Sequence, residues 1–181
     1  MTYYGGKELA HAFRTVRKNT IQIAEDIPEN KYDFKASPES RTIAQTLVHI
    51  AFGTTFATTL HGGKISDTNQ INFPEIFAKV GAEEAKRRSK AEIIALLKTD
   101  GEKFAAMLET FSEPFLAEPI TFRPGAEPPA RTRFDLLLAA KEHEMHHRGQ
   151  LMMLERMVGV VPHLTRQMQE RMAQFQAQPA K

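Results

Sequence analysis

The chain has 181 residues, enough for one domain with a sizeable core, and its 24 basic and 22 acidic side chains leave a formal net charge of only +2. Charges that nearly balance and are interspersed argue against a nucleic-acid-binding surface. Cysteine is absent, which excludes disulfides, thiolate metal ligands and a cysteine nucleophile, so any soft-metal site must be built from histidine.

Four stretches carry helical periodicity, and none shows convincing strand alternation. The first helix is expected over about Gly6–Asp26, with Leu9, Phe13, Val16, Thr20 and Ile23 on one stripe and Pro28 behind it. PENKYDFKASPES leads to a second, from about Ser40 to Leu60, stopped by His61-Gly62-Gly63. HGGKISDTNQINFPEIFAKVGAEE follows, with room for a crossover or an irregular flap holding a short helix around Pro74–Lys79; connections this long often carry function. The basic run Lys86-Arg87-Arg88-Ser89-Lys90 sits beside Glu83 and Glu84 and reads as a solvated helix start.

Ser89 and Glu92 have capping-box spacing for the third helix, which carries Ile93, Leu96, Leu97, Phe104, Met107 and Leu108 before Pro114. SEPFLAEPITFRPGAEPPA is too rich in proline for a helix and is expected to lie extended over the bundle. The fourth helix is expected from about Thr132 to Val158, ending at Gly159. The sum is an all-α four-helix bundle over residues 1–164, with long connections between helices 1 and 2, 2 and 3, and 3 and 4, followed by a polar C-terminal extension over 165–181. No segment approaches the roughly 20 apolar residues that span a bilayer, and the N-terminus lacks the apolar core of a signal peptide, so a cytoplasmic protein with no membrane association is expected.

The fourth helix carries KEHEMHHRGQ, residues 141–150, where its core stripe should be most buried. On a helix advancing about 100° per residue, His147 falls about 40° from His143, with Leu136, Ala140, Gln150, Leu151, Leu154 and Val158 on the same side. Lys141, Arg148, Glu155 and Arg156 collect on the far side, expected to be solvated, and His146 lies on the flank. The i, i+4 spacing of His143 and His147 offers two imidazoles to one metal ion. The alternative is a pair of separately hydrogen-bonded core histidines, disfavoured because each buried nitrogen left unpaired costs on the order of 1–3 kcal/mol. In RTIAQTLVHIAFGTTF the same construction turns His49 toward the core midway along the second helix; Gly53, one turn on, leaves room for a ligand or permits close helix packing. Gln150 and His146 are placed to orient a ring or a bound ligand, or to serve as packing polar residues. His11, His61 and His163 lie near helix ends or in linkers and are expected at the surface or in caps.

Two other motifs compete for these residues. HEMHH fits the zincin pattern H-E-x-x-H, with Glu144 as general base, but RGQLMMLERM replaces the zincin continuation and the framing strands are missing. Glu144 and His147 also form the E-x-x-H unit of di-iron bundles, yet no second copy exists, since Thr46 stands three residues before His49.

IPENKYDFKASPESRTIAQTLVHIAFG and HEMHHRGQLMMLERMVG together resemble two landmarks of the DinB-like (DinB/YfiT-like) superfamily of bundle metalloproteins, namely the segment leading into the helix of its first histidine and its closing H-x-x-x-H-R-G-Q helix. The likeness runs from the first helix to about Pro162. It implies a metal ion held by His49, His143 and His147, with zinc or nickel suited to imidazole ligands and a fourth position open to water or substrate. It implies further the chemistry of a metal-dependent hydrolase, or of a transferase or isomerase using a low-molecular-weight thiol, acting on a small electrophilic molecule, and pairing as a homodimer. The competing expectation is a non-enzymatic bundle with a structural metal or a partner-binding surface. A roomy, partly polar cavity beside an open coordination position would favour the enzyme, and a closed fourth ligand or a dry pocket would favour its rival.

Overall fold

The computed structural model describes residues 4–177. Helix α1 spans Gly6–Asp26 and α2 spans Ile43–Phe52, with α3 (Thr55–Ala57) and a π-turn (Thr58–Gly62) continuing the second helix. Then come α4 (Phe73–Ala85), α5 (Lys90–Glu109), α6 (Glu113–Ala117), an antiparallel pair β1 (Pro119–Thr121) and β2 (Ala130–Thr132), α7 (Arg133–Met157) and α8 (His163–Ala177). The four long amphipathic elements make a four-helix bundle in which α1 and α2 each pack on both α5 and α7. Local chemistry sets the ends: Thr42 with Gln45, and Ser89 with Glu92, form reciprocal capping boxes, while the Thr132 side chain accepts from the Asp135 amide.

The structure departs from the sequence expectations at several points of its elements and core. The second helix is interrupted at Gly53 and Thr54 before resuming as α3 and the π-turn. The flap helix is longer than expected, running to Ala85, although none of its residues is buried. The proline-rich stretch contains α6, because Pro114 sits in the first turn, where a missing N–H breaks no helical bond, and then the β1–β2 pair. Glu155, expected on a solvated face, is fully buried with neither carboxylate oxygen hydrogen-bonded among the described residues. The reason is α8, which folds back onto α1: Arg166 Nη2 donates to Asp26 Oδ2 at 2.6 Å, and His163 Nε2 lies 3.3 Å from Asn19 Oδ1. Burial, and then the charge of Asp26, push the Glu155 carboxyl up to about 7. Residues 178–181 of the C-terminal extension lie outside the described residues. No helix among those described is long and apolar enough to cross a membrane.

Two apolar clusters fill the bundle, one around Ile23, Ile43, Leu47, Ile93 and Leu151, the other around Leu9, Phe13, Phe104, Leu108 and Leu137. Between them in each helix stands a polar layer. Arg17 of α1, 3% exposed, donates from Nε to both oxygens of Glu144 of α7 at 2.9 and 3.1 Å. Its Nη1 donates to the Leu97 carbonyl of α5 at 2.9 Å and its Nη2 to the Ile50 carbonyl of α2 at 3.2 Å. Thr20 Oγ1 adds a 2.7 Å bond to Glu144. Gly101 lets the arginine pass, since a Cβ there would stand 2.8 Å from Arg17 Cγ.

Removing one partner leaves the other charge buried and unpaired. Glu144→Ala is therefore expected to lose about 3–5 kcal/mol in urea unfolding, while Arg17→Met/Glu144→Leu recovers most of that loss. A Glu144→Ala variant as stable as the parent would show that the guanidinium finds other compensation.

Candidate metal centre

His49 on α2 and His143 and His147 on α7 each present a ring nitrogen, and these atoms all lie within 4.8 Å of one another. His49 Nε2 and His143 Nε2 are 3.1 Å apart. Two imidazole nitrogens bound to a tetrahedral ion at 2.0–2.1 Å would be about 3.3 Å apart, so this pair stands at a separation a shared ion can use. The group comprises the three histidines alone among the described residues.

Two of the rings are held from behind. His49 Nδ1 lies 2.6 Å from Glu84 Oε1, and Arg41 Nε donates to Glu84 Oε2 at 2.7 Å. Burial would raise the Glu84 carboxyl, but its hydrogen bonds to Arg41 and His49 outweigh that and hold it below its ordinary value. An ionised carboxylate only accepts, so His49 Nδ1 carries the proton and Nε2 keeps its lone pair facing the cluster. His147 Nδ1 lies 2.8 Å from Gln150 Oε1, whose amide nitrogen lies 3.1 Å from His146 Nε2. The same logic makes His147 Nδ1 the donor and leaves its Nε2 bare. Gln150 and His146, the two sequence candidates, are thus linked in one chain behind His147, with His146 itself exposed.

Burial, reinforced by the neighbouring histidines, pushes His143 down to about 4. It also lowers His147, partly offset by the Gln150 hydrogen bond. Both rings are neutral near pH 7, the form that can ligate. The space at Gly53 goes to the His143 ring: a Cβ at position 53 would lie 2.8 Å from its Nδ1. Beside His147 opens a cavity of about 690 Å³, lined by Glu39, Arg41 and Thr46 and, from α7, by Gln150, Met153 and Met157.

Glu84 escaped the sequence reading. It lies in the long second connection, on a helix with no buried stripe to give it a face. Glu144, the candidate zincin base, is committed instead to Arg17 and Thr20, turned about 60° to 100° around α7 from the two imidazoles and 2% exposed.

The comparisons agree with this architecture. A family model described as the DinB superfamily matches residues 12–151. A DinB-like protein from Bacillus subtilis is 26% identical, with a TM-score of 0.61 over 84% of this chain and 92% of that one. YfiT from Bacillus subtilis, described as a probable metal-dependent hydrolase with an unusual four-helix bundle topology, is 15% identical, with a TM-score of 0.65 over 88% of this chain and 91% of that one. A mycothiol-dependent maleylpyruvate isomerase is 11% identical, with a TM-score of 0.63 over 83% of this chain and 63% of that one. The last two likenesses are of fold alone. No curated protein matches the chain.

The remaining histidines divide differently from the expectation. His11 is exposed, but His163 is 4% exposed and His61 only 1%, with both His61 ring nitrogens unpartnered among the described residues. The π-turn swings His61 inward toward Phe111, whose ring centroid is 6.4 Å away. Burial, and then Arg133, lower His61 to about 4. In the unfolded chain its proton binds near the ordinary value of 6.5, so between those two values the unfolded state holds more protons. Stability from this group is complete above about pH 6.5 and is lost as the pH falls toward 4, by about 3 kcal/mol over the whole window. His143 acts in the same sense. The Glu155 carboxyl, raised to about 7, acts in the opposite sense, so the test is a difference: in unfolding of the metal-free protein at pH 8, 6 and 5, His61→Leu should gain stability relative to the parent as the pH falls, and a constant difference between the two would refute the assignment.

Proposed function

The chain belongs to the DinB superfamily, and on that premise we propose that His49, His143 and His147 bind one divalent metal ion, zinc or nickel, and that the protein is a metal-dependent hydrolase or a low-molecular-weight-thiol-dependent transferase acting on a small electrophilic substrate. The observation that carries the reading is the pair of hydrogen bonds behind the rings, Glu84 to His49 and Gln150 to His147, which aim two Nε2 lone pairs at the space occupied by the third ring's Nε2. Core histidines serving only as packing would need no such common aim.

A divalent ion with three imidazole ligands supplies a Lewis acid with an open position, where the pKa of water or of a thiol falls toward neutrality. The chain's own residues do the rest. Glu84, held by Arg41, keeps His49 in the tautomer that ligates, and Gln150 does the same for His147. Arg41 offers a donor to a polar substrate group in the adjoining cavity, while Met153 and Met157 offer an apolar surface. This open, partly polar cavity favours an enzyme over a structural metal. Two fold neighbours, one described as a probable metal-dependent hydrolase and one as mycothiol-dependent, set the range of chemistry proposed. The exposed row Met168, Met172 and Phe175 along α8 supports pairing with a second copy, read by light scattering as twice the chain mass.

Metal analysis of protein purified without a histidine tag tests the centre. His143→Ala and His147→Ala should lose stoichiometric metal, His146→Ala should keep it, and Glu84→Gln should weaken affinity about 10- to 100-fold. Full metal content in His143→Ala would overturn the ligand set. Activity screens with and without added thiols then separate hydrolase from transferase. Glu144→Gln, in the fraction that folds, should keep most of kcat; a loss of roughly 10²-fold with metal retained would restore the general-base reading.

A further inference from the structure

A second cavity, of about 600 Å³, opens between α3, α4 and the loop joining β1 to β2. Its walls are Phe56, Phe73, Phe77 and Phe122, with Leu136 at one end. Phe56 and Phe73 stack with ring centroids 5.4 Å apart, and Phe77 is 69% exposed. The volume falls in the range of small-molecule sites. One cation belongs to this cavity. The Arg123 guanidinium lies over the Phe73 ring, 4.8 Å from its centroid. Arg131 and Arg133 nearby are paired with Asp135 and Glu118, whereas Arg123 has no ion pair among the described residues. A guanidinium over an aromatic ring, with no carboxylate partner among the described residues, keeps its donor fork for a carboxylate from outside.

The cavity is aligned with the three histidines. Leu136 lies seven residues before His143 on α7, two turns less about 20°, hence on the same face and about 10 Å along the axis. Ala139, between them on that face, is exposed and leaves the path shallow. Phe56 stands three residues past Gly53, the position that gives the His143 ring its room. Leu136 and Phe56 thus form the end nearer the histidines, on the elements that carry them, while Arg123 and Phe77 form the end that is not.

We propose that this cavity is a second substrate subsite of the three-histidine centre, besides the cavity at His147, and that it takes the apolar, aryl-bearing or medium-chain body of a carboxylate substrate, with Arg123 on the carboxylate and the other end directed along α7 toward the histidines. The direction of the reacting end rests on the metal reading above; the class of ligand rests on the walls of the cavity.

Calorimetric titration of zinc-loaded protein with 6-phenylhexanoate, and with 6-phenylhexan-1-ol as its uncharged counterpart, tests the proposal. The acid should bind the parent chain, and Arg123→Gln should weaken it about tenfold or more while leaving the alcohol unchanged. Phe77→Ala, at an exposed position that the fold tolerates, should weaken both probes. His143→Ala should alter binding of the acid by no more than a few-fold. If Arg123→Gln has no effect and His143→Ala abolishes binding, the carboxylate sits at the metal: the subsite is wrong and the metal reading stands. If the parent protein takes up no zinc yet shows Arg123-dependent binding of the acid, the metal reading fails and the ligand class stands. Failure of the parent to bind either probe overturns the subsite.

Discussion

Arg17 touches every helix of the bundle. It belongs to α1, its Nε grips Glu144 of α7, and its two terminal nitrogens reach carbonyls of Leu97 on α5 and Ile50 on α2. A guanidinium buried to this depth tolerates no approximate solution, because each unsatisfied N–H and an unpaired charge would cost several kcal/mol. The four helices can slide or rotate only in ways that keep all of these partners in place. Such a layer adds little net stability over a well-packed apolar one, but it selects one register between the two apolar clusters.

That register aims the three histidines. Ile50 and Glu144 are the residues immediately after His49 and His143, so the clamp engages both histidine-bearing helices one residue from their rings. With Glu144 turned to Arg17, a helix advancing about 100° per residue must carry His143 and His147 to the same side, about 100° and 60° from the glutamate, toward α2. The interruption after Phe52 contributes as well: Gly53 closes on the Ile50 carbonyl with a tighter bond of 3.2 Å, and that same carbonyl accepts from Arg17. The glutamate of HEMHH thus has a positioning duty that excludes it from the cavity, which explains why a zincin-like string occurs without a zincin site.

The sequence revealed what local periodicity can encode. The bounds of α1, the Ser89–Glu92 cap of α5, the Thr132 start of α7 and the inward aim of His49, His143 and His147 all follow from stripes and caps within a single helix. What it hid depends on elements meeting from afar. A helical wheel sends Glu155 to water because it knows nothing of α8 returning across α1. His61 reads as a helix stop, and only the π-turn, which shifts the side chains that follow by one extra residue per turn, brings it inside. Glu84 has no stripe around it, so nothing short of the fold connects it with His49, 35 residues earlier.

The two orienting hydrogen bonds differ in the same way, and the difference has a mechanical meaning. Gln150 reaches His147 from three residues along one helix, a contact as rigid as α7 itself. Glu84 reaches His49 from α4, which buries no residue of its own and leans on α2 and α3. Its apolar hold is the half-buried pair Phe73 and Ile76, which pack against Leu60, Ile71 and Ile120. Its first turns carry Phe73 and Phe77 at the aromatic cavity, and its last carries Glu84 at the histidines. One helix thus joins the aromatic cavity to the carboxylate behind His49 across about ten residues.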